Sequence, residues 1–262
     1  LAEEDQADMW RHYESTVAWV AGAKDRIGAV NAPRVLEMVG RGRSGNSSSE
    51  APARSVLHVS GTMHIETRRE NWPDPEALVA FFRRATATGM RWSIGADIGW
   101  LEGEPRAREV IRATEALGVQ WDVHAHRHVD RANCAAAIER LGGHPTSVAS
   151  GFLIEELDSL RKPVAGSGGA RWRALVLWGG ANRPGHGQGA DQEVSGVWRP
   201  LSAEAYTPHD PDGSLVVVGS AHLGLADLER IAGASPRSEA PVRSASIMVA
   251  PRTLTLVGTA DG

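Results

Sequence analysis

The chain has 262 residues, a formal net charge of −4, 42% hydrophobic residues and 23% charged residues. This length suffices for one barrel-sized domain or for two small ones. The charge gives no basic surface, so we expect neither nucleic acid nor acidic membranes as partners. No apolar run approaches the roughly 20 residues that cross a bilayer, so we expect no membrane span. Residues 1–5 do not resemble a leader, so we expect a secreted or periplasmic protein if a signal peptide was removed, and otherwise a cytoplasmic one.

Cysteine and tryptophan are used unevenly. The single cysteine, Cys134, excludes an intrachain disulfide framework and predicts a buried, unreactive thiol. Nine Trp stand against two Tyr and three Phe. Flat apolar rings suit the faces of sugars, while core packing is the ordinary alternative for any one of them.

The first 50 residues are predicted to be separate from the main domain. Apolar residues recur at helical spacing over residues 4–25. Residues 40–50 are rich in Gly and Ser, which is typical of a flexible linker. We therefore expect an N-terminal helical segment with its linker over 1–50, and a barrel domain over 51–262.

From residue 51 onwards the predicted strands and helices alternate. Strands are predicted over residues 55–59, 91–94, 119–124, 146–149, 174–178, 214–218 and 246–249, and helices over 73–88, 104–117, 130–141, 153–160 and 223–231. This alternation indicates a parallel sheet of βαβ units, and seven units favour a closed or nearly closed barrel. The long stretch 179–211 is rich in Gly, Pro and His, which is typical of a functional or disordered loop.

Three histidines follow the third predicted strand, in the run Asp122-Val-His-Ala-His-Arg-His128. Sites in parallel α/β proteins gather at the carboxyl ends of strands. His124 and His128 can converge on one point whether the segment is extended or helical, and His126 is the less certain member. Zinc and similar ions usually take two or three imidazoles with a carboxylate, so the run predicts a metal site. Asp122 is a candidate ligand or an orienting partner.

A second polar cluster, Thr62-Met-His-Ile-Glu66, follows the first predicted strand. In a barrel, the ends of the first and third strands face the same mouth. His64 and Glu66 share a face if the strand continues that far. Glu66 could then supply the carboxylate ligand or act as a general base, and His64 is a candidate for proton transfer.

Other residues are weaker candidates for the same mouth. Asp97 follows the second predicted strand and could reach the metal or its surroundings. Candidates for the wall of a substrate groove are Trp178, His186, Trp198 and His222.

Taken together, these features resemble the polysaccharide deacetylase (NodB-homology) family over residues 54–160. That family has an Asp-rich motif after its first strand and His-x-x-x-His after its third, and His124-Ala-His-Arg-His128 matches the second motif. The resemblance implies a distorted (β/α)7 barrel of the glycoside hydrolase and deacetylase type. It also implies a metal-dependent hydrolase that removes an acetyl group from a carbohydrate by metal-activated water, with His124 and His128 as ligands of the ion. We expect zinc as the ion and either Glu66 or a water molecule as its further ligand.

Two departures from the family pattern favour an alternative, a carbohydrate-binding relative without activity. The family's paired aspartates are replaced by the single carboxylate of Glu66, and its Arg-Pro-Pro motif by residues 146–151. Asp122-Val-His-Ala-His126 also resembles the first-strand motif of amidohydrolase and TatD-like barrels, which would imply a metal hydrolase on a small substrate. Only 136 residues follow His126, against roughly 200 or more in such a barrel, and this favours the deacetylase-like interpretation.

Overall fold

A computed structural model describes residues 27–29, 57–87, 89–178, 196–206, 208–219 and 243–249. For residues 27–29, 57–59, 196, 219 and 243–249 it describes the backbone alone. The helices predicted over 4–25 and 223–231 and the linker predicted over 40–50 lie outside the described residues.

Most of the described strands belong to one sheet. Its members are β1 Ile27–Ala29, β2 Leu57–Ile65, β3 Trp92–Ala96, β4 Gln120–His124, β5 Pro145–Ser150, β8 Val176–Trp178, β9 Gly196–Trp198, β10 Val216–Gly219 and β11 Arg243–Val249, while β6 Val164–Ala165 and β7 Arg171–Trp172 form a separate antiparallel pair. Strand β1, within the segment expected to precede the barrel, pairs with the start of β2.

The sheet is largely parallel and curls into a half barrel. Its neighbours run β11, β2, β3, β4, β5, β8, β10, all in parallel, and β9 closes the edge antiparallel to β10. At the other end, β11 has Cα atoms within 8 Å of β9 and β10. Each of the seven predicted strands falls on this path in the predicted order, and the last lies beside the first. The α/β class with a barrel-like sheet is therefore confirmed, and the deacetylase type stays a prediction.

The helices lie in the connections between these strands. They are α1 Pro75–Ala87, α2 Ile98–Gly103, α3 Ala107–Ala116, α4 Asp130–Arg140 and α5 Leu157–Leu160. Four of the predicted helices are confirmed with shorter bounds; the fourth divides into a 3-10 turn, Ile154–Glu156, and α5. Helix α2 was not predicted. None of the described helices is long and apolar enough to cross a membrane.

The main hydrophobic core lies between the helices and one face of the sheet. Strand residues Ile94, Trp121 and Val123 pack there against Phe82 of α1 and Ile138 of α4, all at most 1% exposed. Cys134 is buried in the same core, as predicted, and burial raises the pKa of its thiol to about 12. The side chains that alternate with these strand residues occupy the opposite face.

That opposite face, called the inner face below, is divided by polarity. On β2, β3, β4 and the end of β5 it carries buried polar side chains: Ser60, Thr62, Ser93, Asp122, His124 and Ser150. From Val148 of β5 onwards a second cluster is apolar, formed by valines with Trp178. Burying so many polar groups in a small domain requires hydrogen-bond partners for each, and the polar half is where the functional candidates lie.

Candidate metal centre

Two histidines of the inner face come into contact because the strand between them carries a glycine at their level. His64 is on β2 and His124 is on β4, with β3 between the two strands. The residue that β3 places at this level is Gly95, which pairs with His64. A Cβ atom on Gly95 would lie 3.0 Å from Cβ of His124 and 3.1 Å from Cδ2 of His64. With that space open, the two imidazoles stack with centroids 4.3 Å apart and an angle of 24° between their planes.

A carboxylate joins His124 to a second imidazole. Strand β2 continues through Ile65, beyond the predicted end at residue 59, so Glu66 comes directly after it. Oε1 of Glu66 lies 3.1 Å from Nε2 of His124, and Oε2 lies 3.0 Å from Nε2 of His126. Donor atoms of these three residues all lie within 4.8 Å of one another, a spacing that suits one shared cation.

The group is anchored on one side and open on the other. The His124 side chain is 2% exposed, whereas those of Glu66 and His126 are each 42% exposed. His124 is therefore held by the sheet, while an ion or a ligand can reach the other two residues from solvent.

The charges of the group favour an ionised carboxylate. Burial opposes ionisation of Glu66, but hydrogen bonds and attraction from His124 and His126 outweigh it and hold its pKa well below the usual range. The hydrogen bond to Glu66 raises the pKa of His126 against the opposing effect of burial, and the charge of Asp97 adds to the rise. Hydrogen bonds to Glu66 thus hold the two imidazoles and the carboxylate together, and a cation bound in the same place would replace them.

Ser150 orients the buried imidazole. Ser150 is the last residue of β5 and pairs with His124 across the two strands. Nδ1 of His124 lies 2.8 Å from Oγ of Ser150, in a fully buried contact. A hydroxyl can donate or accept. If Nε2 of His124 held a cation, Nδ1 would carry the ring proton and would donate a hydrogen bond to Oγ of Ser150.

The residues present fit a divalent ion of the zinc type. Two imidazoles and one carboxylate are a known catalytic zinc set that leaves positions for water or substrate, and other first-row divalent ions use the same donors. Both Nε2 atoms already face the carboxylate. A cation placed there would be held by Glu66, His124 and His126.

The sequence predicts His124 and His128 as the pair of ligands. In the structure the imidazole that completes the group with His124 and Glu66 belongs to His126. Ala125, the residue after β4, is buried in the main core, so the alternation of faces along the strand places His126 on the same side as His124. The chain then turns before α4 begins at Asp130. His128 is directed elsewhere: its Nδ1 lies 3.4 Å from Oγ of Ser159 and 4.0 Å from Oε1 of Glu156.

The two aspartate candidates lie outside the three-residue group. Asp122 is buried on the inner face and accepts a hydrogen bond from Thr146, so it is not the partner that orients His124. Burial raises the pKa of Asp122 to about 7. Asp97 is 5% exposed, and its Oδ1 accepts a hydrogen bond from the backbone N–H of Gly99 at the start of α2. Asp97 acts on the centre through its charge, which contributes to the raised pKa of His126.

The four residues predicted to line a substrate groove differ in where they lie. Trp178 is buried in the apolar part of the inner face. Trp198 is buried in the main core, where its Nε1 donates to the carbonyl oxygen of Tyr206 at 2.6 Å, so its ring serves packing. His186 and His222 lie outside the described residues.

Sequence reasoning missed Ser150 and Gly95. Ser150 lies within residues 146–151, where the sequence shows a departure from the deacetylase pattern. The period-two repeat of an extended strand would have placed it on the inner face. A glycine in a strand interior often marks close approach of other groups, and that signal was available for Gly95.

Comparisons of the chain with protein-family models, with curated proteins and with solved structures give no match.

Proposed function

We propose that the protein is a metal-dependent hydrolase that removes an acyl group from a carbohydrate. The observation that carries the hydrolase part is the convergence of Glu66, His124 and His126 at the carboxyl ends of parallel strands, with one side open to solvent. Sites at that edge of a barrel-like sheet are commonly catalytic. The carbohydrate and the acyl group rest on the deacetylase resemblance.

Each residue of the centre has a distinct role in this proposal. Glu66 is assigned to ion binding, because both of its oxygens face imidazoles. A bound ion would act as a Lewis acid: it would polarise the acyl carbonyl and lower the pKa of a water molecule. Ser150 keeps the His124 ring in place. His64 stacks on His124 without belonging to the three-residue group, and it is assigned to proton transfer.

A second candidate is a metal hydrolase on a small substrate, similar to amidohydrolase and TatD-like barrels. The observation in its favour is the pairing of His124 with His126, which is the His-x-His spacing of those enzymes. The place of the two histidines after β4, with two predicted βα units before them, favours the first candidate. Substrate tests separate the two.

Metal binding is tested by exchanging one histidine at a time. We expect the purified protein to bind close to one equivalent of zinc, and His126→Ala to weaken binding by at least about tenfold. His128→Ala is the matched control, because His128 lies two residues away but outside the group. Equal weakening by both variants, or binding that neither affects, would contradict the assigned ligand set.

Activity is tested on the zinc-loaded protein with acetylated chitooligosaccharides and acetylated xylan. Acetate release that His64→Gln reduces, without a matching loss of zinc, supports the proposal and the role of His64. Zinc binding and glycan binding without acetate release would identify the non-catalytic relative instead. Turnover of small amides or esters, with none of the glycans, would favour the second candidate.

A further inference from the structure

The guanidinium of Arg131 is enclosed by the protein at the start of α4. Its side chain is 0% exposed, and it forms two parallel hydrogen bonds with the carboxylate of Glu156, from Nη1 to Oε1 at 3.0 Å and from Nη2 to Oε2 at 3.1 Å. An apolar pair of similar volume often stabilises a fold as well as a buried ion pair does. The role of this pair is therefore to be found in its other contacts.

The pair fixes both ends of the turn that follows β5. Nη2 of Arg131 also donates to the carbonyl oxygen of Gly151, the first residue after the strand, at 3.4 Å. At the other end of the turn, Oε2 of Glu156 accepts a hydrogen bond from the backbone N–H of Leu153 at 2.9 Å. The turn 151–156 is therefore tied to α4 through one guanidinium.

The start of this turn forms the seat of the His124 imidazole. Oγ of Ser150 contacts Nδ1 of the ring, and the carbonyl oxygen of Ser150 accepts from the backbone N–H of Ala125 at 3.3 Å. Gly151 has a φ of +72°, and a Cβ on it would lie 3.1 Å from Cε1 of His124. Cε1 is the ring carbon between the two nitrogens, so there is no room for a side chain between Gly151 and the edge of the ring that faces Ser150 and Glu66. A shift of the turn would therefore move the ring.

The helix that carries Arg131 also follows directly on the second imidazole of the centre. His126 lies just before α4, which begins at Asp130, and its Nε2 lies 3.0 Å from Oε2 of Glu66. Arg131 thus links the segment that carries His126 to the turn that holds His124.

We propose that Arg131 and Glu156 are positioning residues of the metal centre, which hold the turn after β5 against His124 so that Nε2 of that ring faces Glu66. The inference rests on the proposed metal centre and names two residues, outside its ligands, that set its affinity for the ion. Neither residue belongs to the three-residue group, and both act through Ser150 and Gly151.

The position of the ring is tested first by NMR of the metal-free full chain, ¹⁵N-labelled at histidine. Arg131→Lys keeps the positive charge but loses the two parallel hydrogen bonds, so we expect it to shift the ring-nitrogen resonances of His124, which Ser150→Ala identifies. Glu156→Gln keeps the shape of the side chain and should shift the same resonances, which provides a second variant if the first does not fold. Arg140→Lys is the matched control, because Arg140 lies on the same helix in an exposed pair, and it should leave them in place.

Zinc affinity, measured by competition with a chelator, is the second test. We expect Arg131→Lys to weaken zinc binding about tenfold and Arg140→Lys to leave it unchanged. In a chain that already carries Ser150→Ala, Arg131→Lys should weaken binding by a clearly smaller factor, because one of the contacts through which Arg131 acts is then already lost. An equal factor in both backgrounds would indicate a direct effect of charge or a general loss of stability, and would overturn the positioning role.

Failure of this inference and failure of the proposed function give different results. His124 resonances that stay in place in both Arg131→Lys and Glu156→Gln overturn the positioning role, even if the wild type binds zinc and releases acetate. A wild type that binds no zinc overturns the metal-dependent hydrolase, whereas a shift of the His124 resonances in that metal-free protein still supports the hold of the pair on the ring.

Discussion

Replacing Ser150 by alanine removes the hydrogen bond between its hydroxyl and Nδ1 of His124. The hydroxyl lies 2.8 Å from that nitrogen, and both groups are buried, with Ser150 1% and His124 2% exposed. In the variant the ring can rotate, and its Nδ1 has no partner in the space left by the hydroxyl. Metal binding and folding should both weaken, because each depends on the orientation and hydrogen bonding of this imidazole.

The size of both effects follows from the geometry. A group that holds a metal-ligating histidine through its other ring nitrogen contributes about 10- to 100-fold to metal affinity, or about 1.4 to 2.8 kcal/mol. A buried polar group left without its partner costs about 1 to 3 kcal/mol of stability. We therefore expect the Ser150→Ala variant to bind zinc at least about tenfold more weakly and to lose about 1 to 3 kcal/mol of unfolding free energy in the metal-free state.

Zinc affinity is measured by competition with a chromophoric chelator, and stability by urea denaturation of the chelator-treated protein. Ser93→Ala is the control, because Ser93 is also a buried serine of the inner face but bonds to Thr62 rather than to a histidine. The control should lose stability while its zinc affinity stays close to that of the wild type. If both variants lose zinc affinity equally, or Ser150→Ala loses none, the orienting role of Ser150 is wrong.

Three further predictions concern the same region. Gly95→Ala should weaken zinc binding in the chelator assay, since the added methyl would lie 3.0 Å from Cβ of His124 and 3.1 Å from Cδ2 of His64; wild-type affinity would refute the spacing role of this glycine. Glu156→Gln should lower the unfolding free energy by about 3 kcal/mol, because the guanidinium of Arg131, at 0% exposure, loses the negative charge that balances it. Glu102→Gln, in the exposed pair with Arg140, should cost less than about 1 kcal/mol, and equal losses would contradict the reasoning. Burial raises the pKa of Asp122 to about 7, so the folded protein holds that proton above the ordinary carboxyl range, and stability falls as pH rises towards 7. In urea denaturation of the metal-free protein, the unfolding free energy of Asp122→Asn should therefore rise relative to that of the wild type between about pH 4 and about pH 8. A difference that stays constant with pH would be inconsistent with a buried neutral acid.

The sequence by itself determined the class of fold and the order of its strands. The seven predicted strands are all parallel members of the sheet. They could be predicted because strands of a βαβ unit are buried and therefore appear as short apolar runs, separated by segments of helical periodicity. Helix α2 escaped prediction because six residues are too few for helical periodicity to show. The sequence also identified Glu66 and His124, since polar residues directly after buried strands of a parallel sheet face one edge.

Only the tertiary structure decided which side chains complete the centre. His126 and His128 have the same residue type and lie two positions apart, and the course of the chain between β4 and α4 brings His126, and not His128, to Glu66. Ser150 and Gly95 act on His124 across strand pairings, 26 residues away in the case of Ser150. Such contacts depend on register and on which strands are neighbours, and a local pattern carries neither, because hydrophobic periodicity fixes the face of a residue but not its partner on the next strand.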